Sequence, residues 1–306
     1  MTSLIKKNLI GGFHWIKAGL ILSGALLSAG QTHAEERMKT NYTLSFNANN
    51  ALCFVKINDM LVMDNDGMWE GQFTMGRTVS SYLKNGENTL SIAMLNESVN
   101  DDDMCSAKIQ DVRSDGSNEY VAAVKLIVRD GQITPDTMYY SGRYASFGDS
   151  PRVKNTEEGF REVAQIFHAT DLPDWPWITA TPVTEKDTPA IKSFYESLQN
   201  DFKRQDLPAI YRQTKGMWES LATEQGSTSQ QMWDSMDYKD FFDGGYKAVP
   251  IDWDGFTLNS YMDGRVFRFE KGYGRVSPLK IKNKADKVFI TTPYLSIING
   301  QVTVVK

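Results

Sequence analysis

From residue 42 to residue 129 the chain alternates apolar and polar residues in short runs. Tyr42, Leu44 and Phe46 form one run, Cys53, Val55 and Ile57 a second, and Leu90, Ile92 and Met94 a third. A period of two is that of a strand with one face buried. Asn58-Asp59, Asp64 to Gly67, Asn85-Gly86, Asp115-Gly116 and Asp130-Gly131 separate the runs as turns, and Gly67, Gly71 and Gly76 punctuate the stretch around Trp69 and Phe73. Residues 35–130 are therefore expected to form an antiparallel β-sandwich. Residues 131–185 read as a connector. Within it Thr156-Glu157-Glu158 caps a short expected helix, with Phe160, Val163, Ala164 and Phe167 at helical spacing. Two prolines between Asp171 and Trp177 forbid regular helix there.

Residues 186–306 change period again. Thr188-Pro189 starts a helix carrying Ile191, Phe194, Tyr195, Leu198 and Phe202. Asp206 starts a second, ended by Gly226, and Met232, Trp233 and Met236 mark a short third. Strands return from Phe256, with hairpins expected across Asp263-Gly264 and Asn299-Gly300. The fold class is mainly β plus α+β, a sandwich followed by helices and then an antiparallel sheet.

The first 34 residues stand apart. Lys6, Lys7 and Lys17 precede an apolar run from Ala18 to Gly30, and Thr32-His33-Ala34 leads into Glu35-Glu36. That is the pattern of a secretory signal peptide cut after Ala34, with a retained anchor as the alternative. The run falls short of the roughly 20 residues of a membrane span, so no stable insertion is expected after cleavage. Cleavage removes three lysines and no acid, leaving 30 Lys+Arg against 38 Asp+Glu and a net charge of −8. An acidic exported chain disfavours nucleic acid and anionic lipid and favours a basic protein partner. A periplasmic or secreted location makes a Cys53–Cys105 disulfide the expected state of the two cysteines, against two separate buried thiols.

Histidine is the most restrictive residue. His14 and His33 leave with the signal peptide, so His168 alone remains. Zinc sites built from several histidines are excluded within one chain. A Ser-His or Cys-His pair would need His168, which has no nucleophile elbow around it. Ser81-Tyr-Leu-Lys84 and Ser277-Pro-Leu-Lys280 match S-x-x-K but lack the segments that accompany that motif in acyl-transfer enzymes.

Two resemblances add to this reading. Tyr82-Leu83-Lys84, Gly86-Glu87-Asn88 and Leu90 resemble a segment of the galactose-binding-like jelly-roll domains found beside family 2 glycosidases, with Asn58-Asp59 where those domains carry Asn-Gly. The resemblance covers about 41–130 and implies a jelly roll, with Gly-Glu-Asn as a folding motif and sugar binding as a weaker implication. Residues 186–306, helices first and sheet after, resemble the NTF2-like cone fold. Enzymes of that family use Asp-His pairs inside the cone, and this stretch contains no histidine.

Three kinds of candidate site remain. Trp69, Trp175 and Trp177 are candidate anchors for a protein partner or a glycan, and the two later tryptophans have the alternative of plugging a domain junction. Asp64 with Asp66, and Asp101 with Asp103, are candidate loop ligands for a structural calcium, the only cofactor suggested, with solvated loop tips as the alternative. Asp234 to Asp243 is a further acidic run without the twelve-residue calcium-loop spacing. A glycoside hydrolase needs two carboxylates at a set separation, and the sequence singles out no pair. The functional expectation is a non-catalytic, exported binding protein, such as a periplasmic immunity or inhibitor protein against an antibacterial lipase or cell-wall hydrolase. A glycan-binding accessory protein is the second reading.

Overall fold

The computed structural model describes residues 40–95, 99–139, 146 and 153–306. The expected signal peptide and its cleavage point lie outside the described residues. Two five-stranded antiparallel sheets face each other. The first has the order β4-β1-β6-β7-β8, built from β1 (Thr40–Asn49), β4 (Gln72–Thr78), β6 (Met104–Arg113), β7 (Asn118–Arg129) and β8 (Gln132–Pro135). The second has the order β3-β2-β5-β10-β9, built from β2 (Cys53–Ile57), β3 (Met60–Asp64), β5 (Gly86–Leu95), β9 (Lys154–Asn155) and β10 (Phe160–Ala169). Tyr42, Leu44, Phe46 and Ala48 alternate inward along β1, as their spacing predicts. Cys53 on one sheet is bonded to Cys105 on the other, so the expected disulfide is an inter-sheet staple.

The Gly-Glu-Asn motif is structural. Asn88 is buried, accepts from the Lys84 N–H at 3.0 Å and donates to the Lys84 and Gly86 carbonyls at 2.8 and 2.9 Å. The Asn58 amide donates to the Asn88 side-chain oxygen at 2.9 Å, and this pins the β2–β3 hairpin beside β5. Asn58 and Asp59 both have positive φ (50° and 63°), the conformation a two-residue hairpin turn demands.

The helix expected around Phe160 to Phe167 is a strand. β10 pairs with β5 over ten residues, from Phe160 opposite Leu95 to Ala169 opposite Gly86. Val163, Gln165, Phe167 and Ala169 are buried against the sandwich core. Phe160 is buried on the opposite face, against Phe54 and Tyr273, so the i, i+3 coincidence arose from a strand with apolar residues on both faces. The sandwich consequently extends past residue 130 to Ala169, well into the segment read as a connector.

The two long helices start at the expected positions. α1 (Thr188–Arg204) has Pro189 in its first turn. α2 (Leu207–Gln225) is capped by the Asp206 carboxylate, which accepts from the Ala209 N–H at 3.0 Å, and ends at Gly226 with φ 59°. The expected third helix is α3 (Ser229–Asp234), and α4 (Tyr238–Asp243) follows it. A three-stranded sheet contains β11 (Lys247–Ala248), β14 (Lys280–Lys282) and β15 (Val288–Ile290). A four-stranded sheet runs β12 (Thr257–Tyr261), β13 (Val266–Glu270), β16 (Leu295–Ile298) and β17 (Gln301–Val304). Gly216 lets α2 lie directly on β17, since a Cβ there would stand 2.5 Å from the Val304 carbonyl oxygen. Alanine at this position forces the two apart.

The two halves share one interior. Trp175, Trp177, Tyr261, Val266, Tyr294 and Val305 belong to the same buried cluster as the sandwich residues. A polar network crosses beside it. The Glu270 carboxylate accepts from Tyr261 Oη at 2.7 Å, from Asn259 Nδ2 at 2.8 Å and from Arg268 Nε. Arg275 stands 3.7 Å from the same carboxylate and donates to the Asp59 carbonyl of the β2–β3 turn. The Arg268 guanidinium stacks 4.0 Å from the Tyr294 ring centroid, and Tyr294 Oη donates to the Leu61 carbonyl of β3 at 3.1 Å.

Candidate functional site

Three loops meet at the end of the sandwich that carries the disulfide. Asn49, at the end of β1, lies opposite Gln72 on one side and Met104 on the other. Its side chain donates to the Asp102 carbonyl at 2.8 Å, which ties down the acidic loop before β6. Asn50, with φ 46°, donates from its backbone to the Gly71 carbonyl at 2.9 Å and accepts from the Gly71 N–H at 2.8 Å. Asn65 is buried, accepts from the Cys53 N–H at 2.8 Å and donates to the Ala51 carbonyl at 2.9 Å. Each asparagine replaces a missing ladder bond with a side-chain one, so loops far apart in sequence are fixed to one another.

This surface combines apolar and acidic groups. Met68 and Trp69 are exposed at 40% and 47%, the pair of large apolar residues that the β3–β4 loop presents to solvent. They line a concavity of about 560 Å³ with Gly67, Glu70, Gln72 and Phe73. Segments 64–72 and 99–104 contribute Asp64, Asp66, Glu70, Asp101, Asp102 and Asp103 and contain no lysine or arginine. Asp103 is buried; one of its oxygens accepts from the Asn100 N–H at 2.7 Å, and the other meets no donor among the described residues. Burial raises the pKa of Asp64; the hydrogen bond from the Asp66 N–H opposes the rise, the Asp66 charge adds to it, and Arg268 across the junction opposes it.

The sequence-derived candidates separate on this geometry. Trp69 and all four aspartates, Asp64, Asp66, Asp101 and Asp103, come to the same end of the sandwich. The aspartates do not converge as a calcium cage. Among the described residues no three of His, Cys, Asp and Glu are grouped to hold a metal, and Asp64 instead accepts from the Asp66 N–H at 3.1 Å in a local turn.

Trp175 and Trp177 are not surface anchors, because both are buried at 3% and 2% exposure. Proline on either side of Trp175 holds the segment extended into a tight turn, Pro176–Thr179, which turns both indoles inward. Trp177 Nε1 donates to the Ser81 carbonyl at 3.0 Å, across the junction. His168 lies exposed on β10.

The two tryptophans instead wall a buried lysine that sequence reasoning missed. Lys306 Nζ lies 4.4 Å from the Tyr82 ring centroid and 5.7 and 5.9 Å from those of Trp177 and Trp175. Neither this nitrogen nor one Glu224 carboxylate oxygen has a hydrogen-bond partner among the described residues. The other Glu224 oxygen accepts from the Ser81 N–H. Burial pushes the Lys306 pKa from 10.5 down to about 7, against the pull of Glu224 and with help from Arg77. Between pH 7 and 10.5 the unfolded chain then holds a proton that the folded chain has released, so stability rises with pH across that window. Below about pH 7 the cost of the buried charge is present in full. Lys306→Met is expected to raise the melting temperature at pH 6 and to flatten its dependence from pH 7 to 10. Superimposable melting curves for the two proteins across that range would show that Lys306 does not sense burial.

Compared with known proteins, the chain matches no protein family, no curated protein and no solved structure.

Proposed function

We propose that this is an exported, non-catalytic protein-binding protein, and that its acidic, tryptophan-bearing sandwich end captures a basic protein. The carrying observation is the exposed Met68–Trp69 pair amid carboxylates, on loops fixed by three asparagines and the disulfide. An aromatic anchor held rigid beside uncompensated charge suits a recognition surface, because little side-chain freedom is lost on binding and the charge steers encounter. In this reading the protein acts in the periplasm as an inhibitor or immunity protein, blocking an antibacterial effector such as a lipase or cell-wall hydrolase. The paired antiparallel sheets suit a galactose-binding-like jelly roll, and the helices followed by a sheet suit an NTF2-like unit. Both family assignments are part of the proposal. The glycan-binding alternative loses ground, since two of its three tryptophans are buried.

The test starts from affinity purification of the protein from periplasmic extract, followed by binding measurements with the purified partner. One stoichiometric basic protein is expected. Trp69→Ala is expected to weaken it by about 2 kcal/mol or more, roughly thirtyfold, as for a central aromatic hot spot. Reversing Asp101 and Asp102 to lysine should slow association and reduce its salt dependence. A partner whose affinity ignores both changes sits elsewhere on the molecule, and the proposed surface is then wrong.

A further inference from the structure

β4 runs directly out of the β3–β4 loop that carries Trp69 and forms one edge of the first sheet. Its pairing fixes which backbone groups face away. The Val79 N–H donates to the Tyr42 carbonyl at 2.8 Å and the Asn50 N–H to the Gly71 carbonyl at 2.9 Å, so the odd-numbered residues turn their backbone groups toward β1. Alternation then points the N–H and C=O of Gln72, Thr74 and Gly76 outward. These three residues are exposed, and their backbone groups meet no partner among the described residues. At the far end Thr78 Oγ1 accepts from Gln225 of α2, so the open stretch is residues 72–76.

The other three edges of the sandwich, β3, β8 and β9, are blunted. β3 has its Leu61 carbonyl occupied by Tyr294, and Arg275 occupies the Asp59 carbonyl in the turn before it. β8 ends in Pro135, and β9 is two residues long. Open edges invite strand pairing and natural proteins close them, so one left open beside an anchor residue marks a place of use. Phe73 and Met75 turn into the core, leaving only small or polar side chains on the outer face of the edge.

We infer that β4 receives an extended, lysine- or arginine-bearing segment of the partner by strand addition, continuous with the Trp69 concavity. This rests on the proposed function and adds the mode of binding. Main-chain hydrogen bonds to residues 72–76 would give affinity, and the basic side chains would meet Glu70 on the loop that leads into β4, with the Asp101–Asp102 charge beyond β1 attracting them at longer range. A second copy of this chain is the poorer occupant. Its β4 carries a single basic residue, Arg77, whose guanidinium is already committed to the Val62 carbonyl and the Tyr82 ring.

The test uses the 15N-labelled protein and a capped peptide of about nine residues that alternates lysine with valine and threonine. Two controls are the same peptide with glutamate for lysine, and the lysine peptide N-methylated at alternate amides. The lysine peptide is expected to slow amide exchange at Gln72, Thr74 and Gly76 at least tenfold, with saturable shifts, while neither control does so. Movement of the Trp69 indole N–H without protection of these amides would overturn strand addition and leave the binding surface standing. If neither responds, both readings fail together. Concentration-dependent protection without any peptide would assign the edge to a second copy instead, which also overturns the inference.

Discussion

Reducing the Cys53–Cys105 bond lowers the stability of the folded chain by about 4 kcal/mol, the chain-entropy value for a loop of this length. The two cysteines are 52 residues apart and both fully buried between the sheets. Their bond closes a loop of the unfolded chain that holds β2, β3, β4 and β5. Equilibrium urea unfolding with and without reductant measures the difference. The reduced protein is also expected to show the larger m-value, because its unfolded state exposes more surface. The proposed surface makes this more than a stability question. Asn65 bonds the Cys53 N–H, and Met104 follows directly from the acidic loop, so a reduced protein loses the frame beneath Trp69. A midpoint that ignores reductant would mean that the bond constrains nothing the fold does not already hold.

Glu270→Ala is expected to cost about 3–5 kcal/mol, the range for removing one partner of a buried ion pair. Arg268 and Glu270 have side chains only 3% and 1% exposed. Removing the carboxylate leaves Arg268 Nε, Tyr261 Oη and Asn259 Nδ2 without this acceptor, and the guanidinium keeps only the Thr292 carbonyl as an acceptor among the described residues. The paired change Arg268→Met with Glu270→Leu should recover much of the loss, since an apolar pair of similar volume has no charge to desolvate. The double-mutant cycle reads the coupling. A single-variant cost below about 1 kcal/mol would show that solvent reaches Arg268 once the carboxylate is gone.

The legible parts of this fold are those set by local periodicity and turn chemistry. β1 follows its alternation, β2 and β5 form where the period of two places strands although both their faces are largely covered, α2 starts at Asp206 and ends at Gly226, and the Asn299-Gly300 hairpin has both residues at positive φ. β10 was illegible because Phe160 is buried under Tyr273, a residue more than a hundred positions away. Without that ring, an apolar residue on the wrong face imitates a helix. The acidic end was legible only in pieces. Trp69 and the aspartate pairs stand out singly, whereas their convergence depends on side-chain bonds from Asn49, Asn50 and Asn65. Tryptophan itself carries no sign of whether it is anchor or filling. Trp69 is held out by a loop with glycine on either side, and Trp175 is turned in by two prolines.

The shared interior sets an order of arrival. During synthesis β1 emerges long before Tyr294 and Val305, which close the same cluster. Tyr294 reaches back 233 positions to Leu61, and Arg275 reaches back 216 to Asp59. Until those residues appear, the edge of β3 and the faces of Trp175 and Trp177 have no cover. Contacts this distant in sequence make closure slow. The nascent sandwich therefore passes through an interval with a bare strand edge and open aromatic surface, when it is most exposed to aggregation and proteolysis.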